Sequence, residues 1–262
     1  MERQLLAWAT YVGAEEYLND WGNVEKRPRV SILMDYETAV RRKKSLVDGY
    51  RSGGAAYLLS SMGSAEFLDF IDYLVYVASQ RSDAETVLGL LEQILSESGS
   101  EWTIAERDGN AALEKRVPEG VAMAATEVIQ GSSSAGTLLA EAWHAAFGKD
   151  PDPEEAYEKS IKAVEEAGVH VVTPKDSKST LGKMISVMKG QKDWKLDLPT
   201  PDADVPVKMA EALWVGQERR HGGNGYRKPT QAEAEAAVLL TVPLVQWFTS
   251  GALVRRPGAP SA

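Results

Sequence analysis

The residues best suited to chemistry stand together in one stretch, Glu218-Arg219-Arg220-His221-Gly222-Gly223-Asn224-Gly225-Tyr226-Arg227-Lys228. Arg219, Arg220, Arg227 and Lys228 face a single carboxylate there, Glu218, in a chain whose formal net charge is −9 at pH 7. Arginine forks bind phosphate or carboxylate oxygens in pairs, and flexible glycines beside them let a ligand come close. Histidine is the side chain whose ordinary pKa lies near neutrality, and His221 is the one in this stretch. Together with Arg219 and Arg220 it supplies the residue types that RNA cleavage through a 2′-hydroxyl needs: a proton carrier, and cations that hold the phosphate as charge builds. These three are the candidate catalytic residues, and Asn224, Arg227 and Lys228 are the candidate ligand-binding residues. Neighbouring residues on a helix do not face each other, so convergence of Arg220 and His221 on one phosphate needs a bend at the turn or a second copy of the chain, a homodimer. The competing reading is a solvated interhelical loop, for which Gly-Gly-Asn-Gly is ordinary turn chemistry.

Two helices must hold this turn. Val205–Gln217 leads into it. After it, Thr230 and Glu233 have the spacing of a capping box, with Pro229 just before, and Ala236 to Phe248 is almost wholly apolar. That pattern predicts the central helix of a bundle, buried on most sides and kinked at Pro243, and too short for a membrane span. Upstream, Asp152-Pro153-Glu154-Glu155 is a strong helix start, predicting a helix that ends at Gly168. Val169-His170-Val171-Val172 then reads as a short apolar piece with a packed or capping His170. His144, on a helix with Trp143 and Phe147, reads as packed too. Thr180–Lys189 is a short helix, and Gln191–Asp204 a loop anchored by Trp194 and Leu196.

Arg219-Arg220-His221-Gly222, a short polar loop, and an alanine-rich apolar helix ending in Val245-Gln246-Trp247-Phe248 resemble the C-terminal domain of abortive-infection proteins. More widely the stretch is similar to the HEPN superfamily of helical bundles, many of which act on RNA in phage defence and toxin systems. Ala156-Tyr157-Glu158-Lys159-Ser160-Ile161-Lys162-Ala163-Val164-Glu165, and Ser179-Thr180-Leu181-Gly182-Lys183 followed by Trp194, resemble the remainder of the module, so that the likeness covers about residues 135–256. It implies a HEPN-like bundle and a phage-defence protein that binds RNA and cleaves it without a metal or cofactor. Catalytic members separate the arginine from the histidine by several residues. Here Arg219 and Arg220 directly precede His221, and no histidine follows. The alternatives are a binding module without catalysis, taking a nucleotide, RNA or protein carboxylates, and a structural or assembly protein.

The rest of the chain reads as mainly α. Met1 to about Asp20 is a short helix; Arg41-Arg42-Lys43-Lys44 is a solvated helix face or a nucleic-acid contact; Ala55–Ser60 fits either helix or strand. A Ser64-capped helix to Ser79 and a second from Ser82 to about Gly99 form a helical hairpin. Asp108-Gly109-Asn110 between Trp102–Ala105 and Ala112–Val117 marks a β-hairpin over about 101–117, the single β element expected. Helices resume at Glu119–Gln130 and Ser134–Phe147, and the break at Gly131-Ser132-Ser133 suggests an N-terminal region of residues 1–131, a bundle of 132–256, and a disordered tail of 257–262. The 262 residues, 44% hydrophobic, suffice for one large domain or two small ones. Cysteine is absent, which excludes disulfides and thiolate chemistry, and no signal or transmembrane run is visible; a cytoplasmic protein is expected. Three scattered histidines give no metal-binding spacing, and the acidic balance argues against broad nonspecific nucleic-acid binding.

Overall fold

The computed structural model describes residues 2–54, 57, 61–107, 109–191, 193–199, 203–218 and 227–256. Among these residues the protein is mainly α, with eleven helices and three two-stranded antiparallel sheets. It divides into two compact units, Met1–Arg116 and Val117–Ala262. Residues 55, 56 and 58–60, of ambiguous pattern, lie outside the described residues, as does the tail 257–262.

In the first unit α1 (Glu2–Val12) buries Leu5, Trp8, Ala9 and Val12, one face at helical spacing. The Trp8 indole N–H donates to the Val87 carbonyl at 2.8 Å. The helix expected up to Asp20 stops at Val12, and the chain turns into a hairpin of β1 (Ala14–Leu18) and β2 (Val24–Pro28). The expectation of a single β element is thus corrected. Helices α2 (Val30–Ala39), α3 (Leu46–Gly53), α4 (Ser64–Ser79) and α5 (Ala84–Glu97) follow. Ser64 is the first residue of α4 and not its cap; Gly63 holds that position without a side-chain bond. The basic run 41–44 is no helix face either. It follows the end of α2, Arg41 adopts φ 51°, and the nearly buried Arg42 side chain donates to Glu66 Oε1 at 2.5 Å and to the carbonyls of Lys44 and Ser61. An arginine beneath the surface stays charged, so it must be met by a carboxylate and carbonyls, and here it is. The core comes from Phe70, Ile71, Leu74 and Val75 of α4 against Val87, Leu91 and Leu95 of α5. The expected hairpin is present as β3 (Trp102–Arg107) and β4 (Asn110–Lys115), tied to α4 by the Leu113 N–H donating to Asp72 Oδ1 at 2.6 Å.

The second unit comprises α6 (Glu119–Gly131), α7 (Ser133–Phe147), α8 (Pro153–Val172), α9 (Leu181–Gly190), α10 (Asp204–Glu218) and α11 (Gln231–Thr249), with β5 (Trp194–Leu196) paired to β6 (Leu253–Arg255). Asp152 caps α8 by accepting the amides of Glu154 and Glu155, and Pro153 occupies its first turn. Helix α8 packs between α7 and α11, presenting the small residues Ala156, Ser160, Ala163 and Gly168. It runs on past Gly168 to Val172, so His170 lies on the exposed side of its last turn and is not packed. Helix α11 continues through Pro243. One row, Ala232, Ala236, Leu239 and Gln246, is exposed; the rest of the apolar stretch 236–248 is buried or half-buried, in line with its composition.

One contact fixes the α6–α7 corner. A Cβ on Gly136 would lie 2.0 Å from the Ile129 carbonyl oxygen, a backbone atom with no rotamer to move. Alanine in mid-helix normally stabilises relative to glycine by about 1 kcal/mol. At Gly136 we expect the reverse sign: Gly136→Ala should lose about 1–3 kcal/mol in urea unfolding, the usual cost of forcing extra volume into a closed contact.

Candidate functional site: a basic turn at one end of the second unit

Arg219, Arg220, His221 and Asn224 lie outside the described residues; the structure places what leads into and out of the turn. Helix α10 runs to Glu218, and its position is held from within the unit, where the Tyr157 hydroxyl of α8 donates to the Leu213 carbonyl at 2.9 Å. On the exit side, Arg227 reaches Glu233 in a bidentate pair, Nη1 to Oε2 at 2.8 Å and Nη2 to Oε1 at 2.6 Å. Glu233 is also the box partner of Thr230: the Thr230 hydroxyl accepts the Glu233 amide, and the Thr230 amide donates to Glu233 Oε2 at 2.8 Å. Lys228 Nζ lies 2.6 Å from Glu154 Oε2 in the first turn of α8.

Two further bonds gather the helix ends. The Gln231 side-chain Nε2 donates to the Ala146 carbonyl near the end of α7, and the Asp152 backbone N–H donates to the Ala145 carbonyl at 2.8 Å. The exit of the turn is therefore anchored where the C-terminus of α7 meets the N-termini of α8 and α11. Gln231 Oε1 is buried there without a hydrogen-bond partner. Helix N-termini favour negative charge, but Asp152, Glu154 and Glu233 already supply it, so an added anion at this end has to be held by the cations of the turn.

Of the sequence candidates, Arg227 and Lys228 are thus brought to the same end, each with a carboxylate in its grasp. These pairs raise the pKa of both cations, through the side-chain bond to Glu233 in one case and to Glu154 in the other. The Arg227 fork, then the Thr230 amide, hold the Glu233 carboxyl at about 2. The side chains of Arg227 and Lys228 are 59% and 72% exposed. The Lys228–Glu154 pair, the more open of the two and held by a single contact, contributes little, so a phosphate can exchange for that carboxylate at small cost.

The other histidines separate. His144, half-buried in the last turn of α7, lies two residues before Ala146 and hence at the same end as the turn. Sequence spacing gave no hint of that proximity, because the link to α11 is made across 85 residues by Gln231. His170 lies 16 residues beyond Glu154 on α8, roughly 24 Å away along the axis at 1.5 Å per residue. It does not belong to this end. Among the described residues no group of three His, Asp or Glu side chains could hold a metal ion, and no helix is long and apolar enough to cross a membrane. No protein-family model, curated protein or solved structure matches the chain.

The exit anchor has a pH signature. A carboxyl whose folded pKa is depressed, here from 4.5 to about 2, stabilises the fold above its unfolded pKa and loses that contribution as pH falls through the folded value. Glu233→Gln should therefore unfold at lower urea than the wild type at pH 6, and the gap should close as the pH is taken from 4.5 toward about 2. A gap of constant size across that window would show that the Arg227 pair contributes nothing through charge.

Proposed function

We propose that this protein binds RNA through the basic turn Arg219–Lys228 and acts as a phage-defence effector of the abortive-infection or toxin type, as a cytoplasmic homodimer. Arg219 and Arg220 hold phosphate, Arg227 and Lys228 extend the cationic track from the anchored end, Asn224 contacts the ligand, and His221 moves the proton. The observation that carries this reading is the local reversal of charge, four cations against one carboxylate in a chain of net charge −9. Support comes from Arg227 and Lys228, exposed cations that already hold carboxylate oxygens, to which phosphate oxygens are chemically similar. The step from helical bundle to defence rests on resemblance alone.

A second reading keeps the binding and drops the chemistry. It is favoured by the direct Arg-Arg-His sequence, which leaves no residues between the cations and the histidine for a helical turn to bring them face to face. The test is incubation of purified protein with total cellular RNA and tRNA, beside His221→Ala at matched folding. Cleavage by the wild type that vanishes in the variant establishes the ribonuclease. Absence of cleavage with retained, salt-sensitive binding establishes the binding module. In that case Arg219→Ala with Arg220→Ala should lower the slope of log affinity against log salt by about 1.4, at about 0.7 per single-strand phosphate contact. Turn variants that change neither binding nor cleavage would leave only an assembly role.

A further inference from the structure

At the tip of the β1–β2 hairpin a tryptophan stands almost bare. Trp21 is 84% exposed, and Leu18 and Val24, cross-strand partners beside it, are 69% and 63% exposed. The turn that carries them is well ordered by Asn19, whose side-chain oxygen accepts the amides of Trp21 at 3.0 Å and Asn23 at 2.9 Å. Its side-chain nitrogen donates to Glu25 Oε1 at 2.6 Å, and the Gly22 amide donates to its carbonyl at 2.8 Å. None of these bonds uses the indole. A contiguous apolar tip held out in water is the mark of a contact surface.

The base of the same hairpin carries the complement. A small, mostly apolar depression is lined by Ala9, Thr10, Gly13, Ile32, Leu33, Tyr50 and Phe70. At its edge stands Arg29, whose amide donates to the Gly13 carbonyl at 2.6 Å. Arg29 is exposed, and its guanidinium makes no hydrogen bond or ion pair among the described residues. Asp20, next to Trp21, is exposed and equally unpaired. An unpaired acid thus sits at the apolar tip and an unpaired base at the apolar hollow.

We propose that the hairpin is a reciprocal docking arm for a second copy of this chain. Five-residue strands reach about 17 Å, so two hairpins lying antiparallel about a two-fold axis set each tip over the other's base. Trp21 then covers the depression of the second copy, and Asp20 meets its Arg29. Made reciprocally about that two-fold axis, the exchange closes as a symmetric pair and does not propagate into a fibre. Asp20, Glu16 and Glu25 near the tip disfavour nucleic acid and anionic membranes as occupants. The surface is small, which places the association in the weak, reversible class. Nothing in it rests on the RNA-binding reading.

The test is sedimentation velocity on the full chain from low to high micromolar concentration. The wild type should show a reversible monomer–dimer equilibrium, and Trp21→Ser should abolish it with an unchanged circular-dichroism spectrum and melting temperature, since the indole is outside the core. Asp20→Arg should weaken it by about tenfold, and the double variant D20R/R29D should recover it, as complementary charges set partner choice. A wild type that stays monomeric overturns the proposal. So does self-association that survives Trp21→Ser, or a double variant no tighter than Asp20→Arg alone.

Discussion

The second unit depends on how closely α8 approaches its neighbours. A Cβ on Gly168 would fall 2.3 Å from the Met184 methyl and 3.2 Å from the Phe248 ring, so the backbone of α8 is itself part of the packed surface there. Ser160 and Thr241, both fully buried, keep this interface compact because each hydroxyl bonds the carbonyl four residues back in its own helix, at 2.7 Å and 2.9 Å. A polar group satisfied in that way asks nothing of the neighbouring helix and can sit at a dry contact. The anchored exit of the basic turn follows from the same geometry, since Lys228 can meet Glu154 only if α8 and α11 begin side by side.

The polar bonds that matter most join helix ends. Glu165 of α8 shows the tension this creates: burial pushes its carboxyl up, while the Leu181 amide at 2.6 Å, the first free N–H of α9, pulls it back. A half-buried carboxylate is tolerated because it caps a helix from another element. Glu37 does the same in the first unit, accepting the amides of Leu46 and Val47 at the start of α3. Each unit thus has one connection tied by a carboxylate from the preceding helix, beside local caps such as Asp152 and Thr230.

This explains what the sequence could and could not disclose. The Thr230–Glu233 box, the Asp152-Pro153 start and the Gly109 turn of the β3–β4 hairpin were legible, because each is written within a few residues. The β1–β2 hairpin was not: Ala14-Glu15-Glu16-Tyr17-Leu18 lacks the alternation that marks a half-buried strand, and the strands are largely exposed. Arg42 was hidden among four basic residues, since its partner Glu66 lies 24 positions away. The candidate turn was conspicuous by charge, whereas its anchoring by Glu154 and the nearness of His144 depend on contacts made across the bundle.

The α6–α7 corner bears on how this chain can vary in length. Ser132 closes α6 and opens α7 with no spacer, and Ser133 takes φ 46° to make the bend. A single residue inserted there would rotate α6 by about 100° about its axis. Ala125 and Val128, its two buried residues, would then leave the core, and the Ile129 carbonyl would leave Gly136. Surface loops elsewhere absorb insertions readily, but this corner acts as a gauge block: related chains should differ in residue type around it far more freely than in residue number.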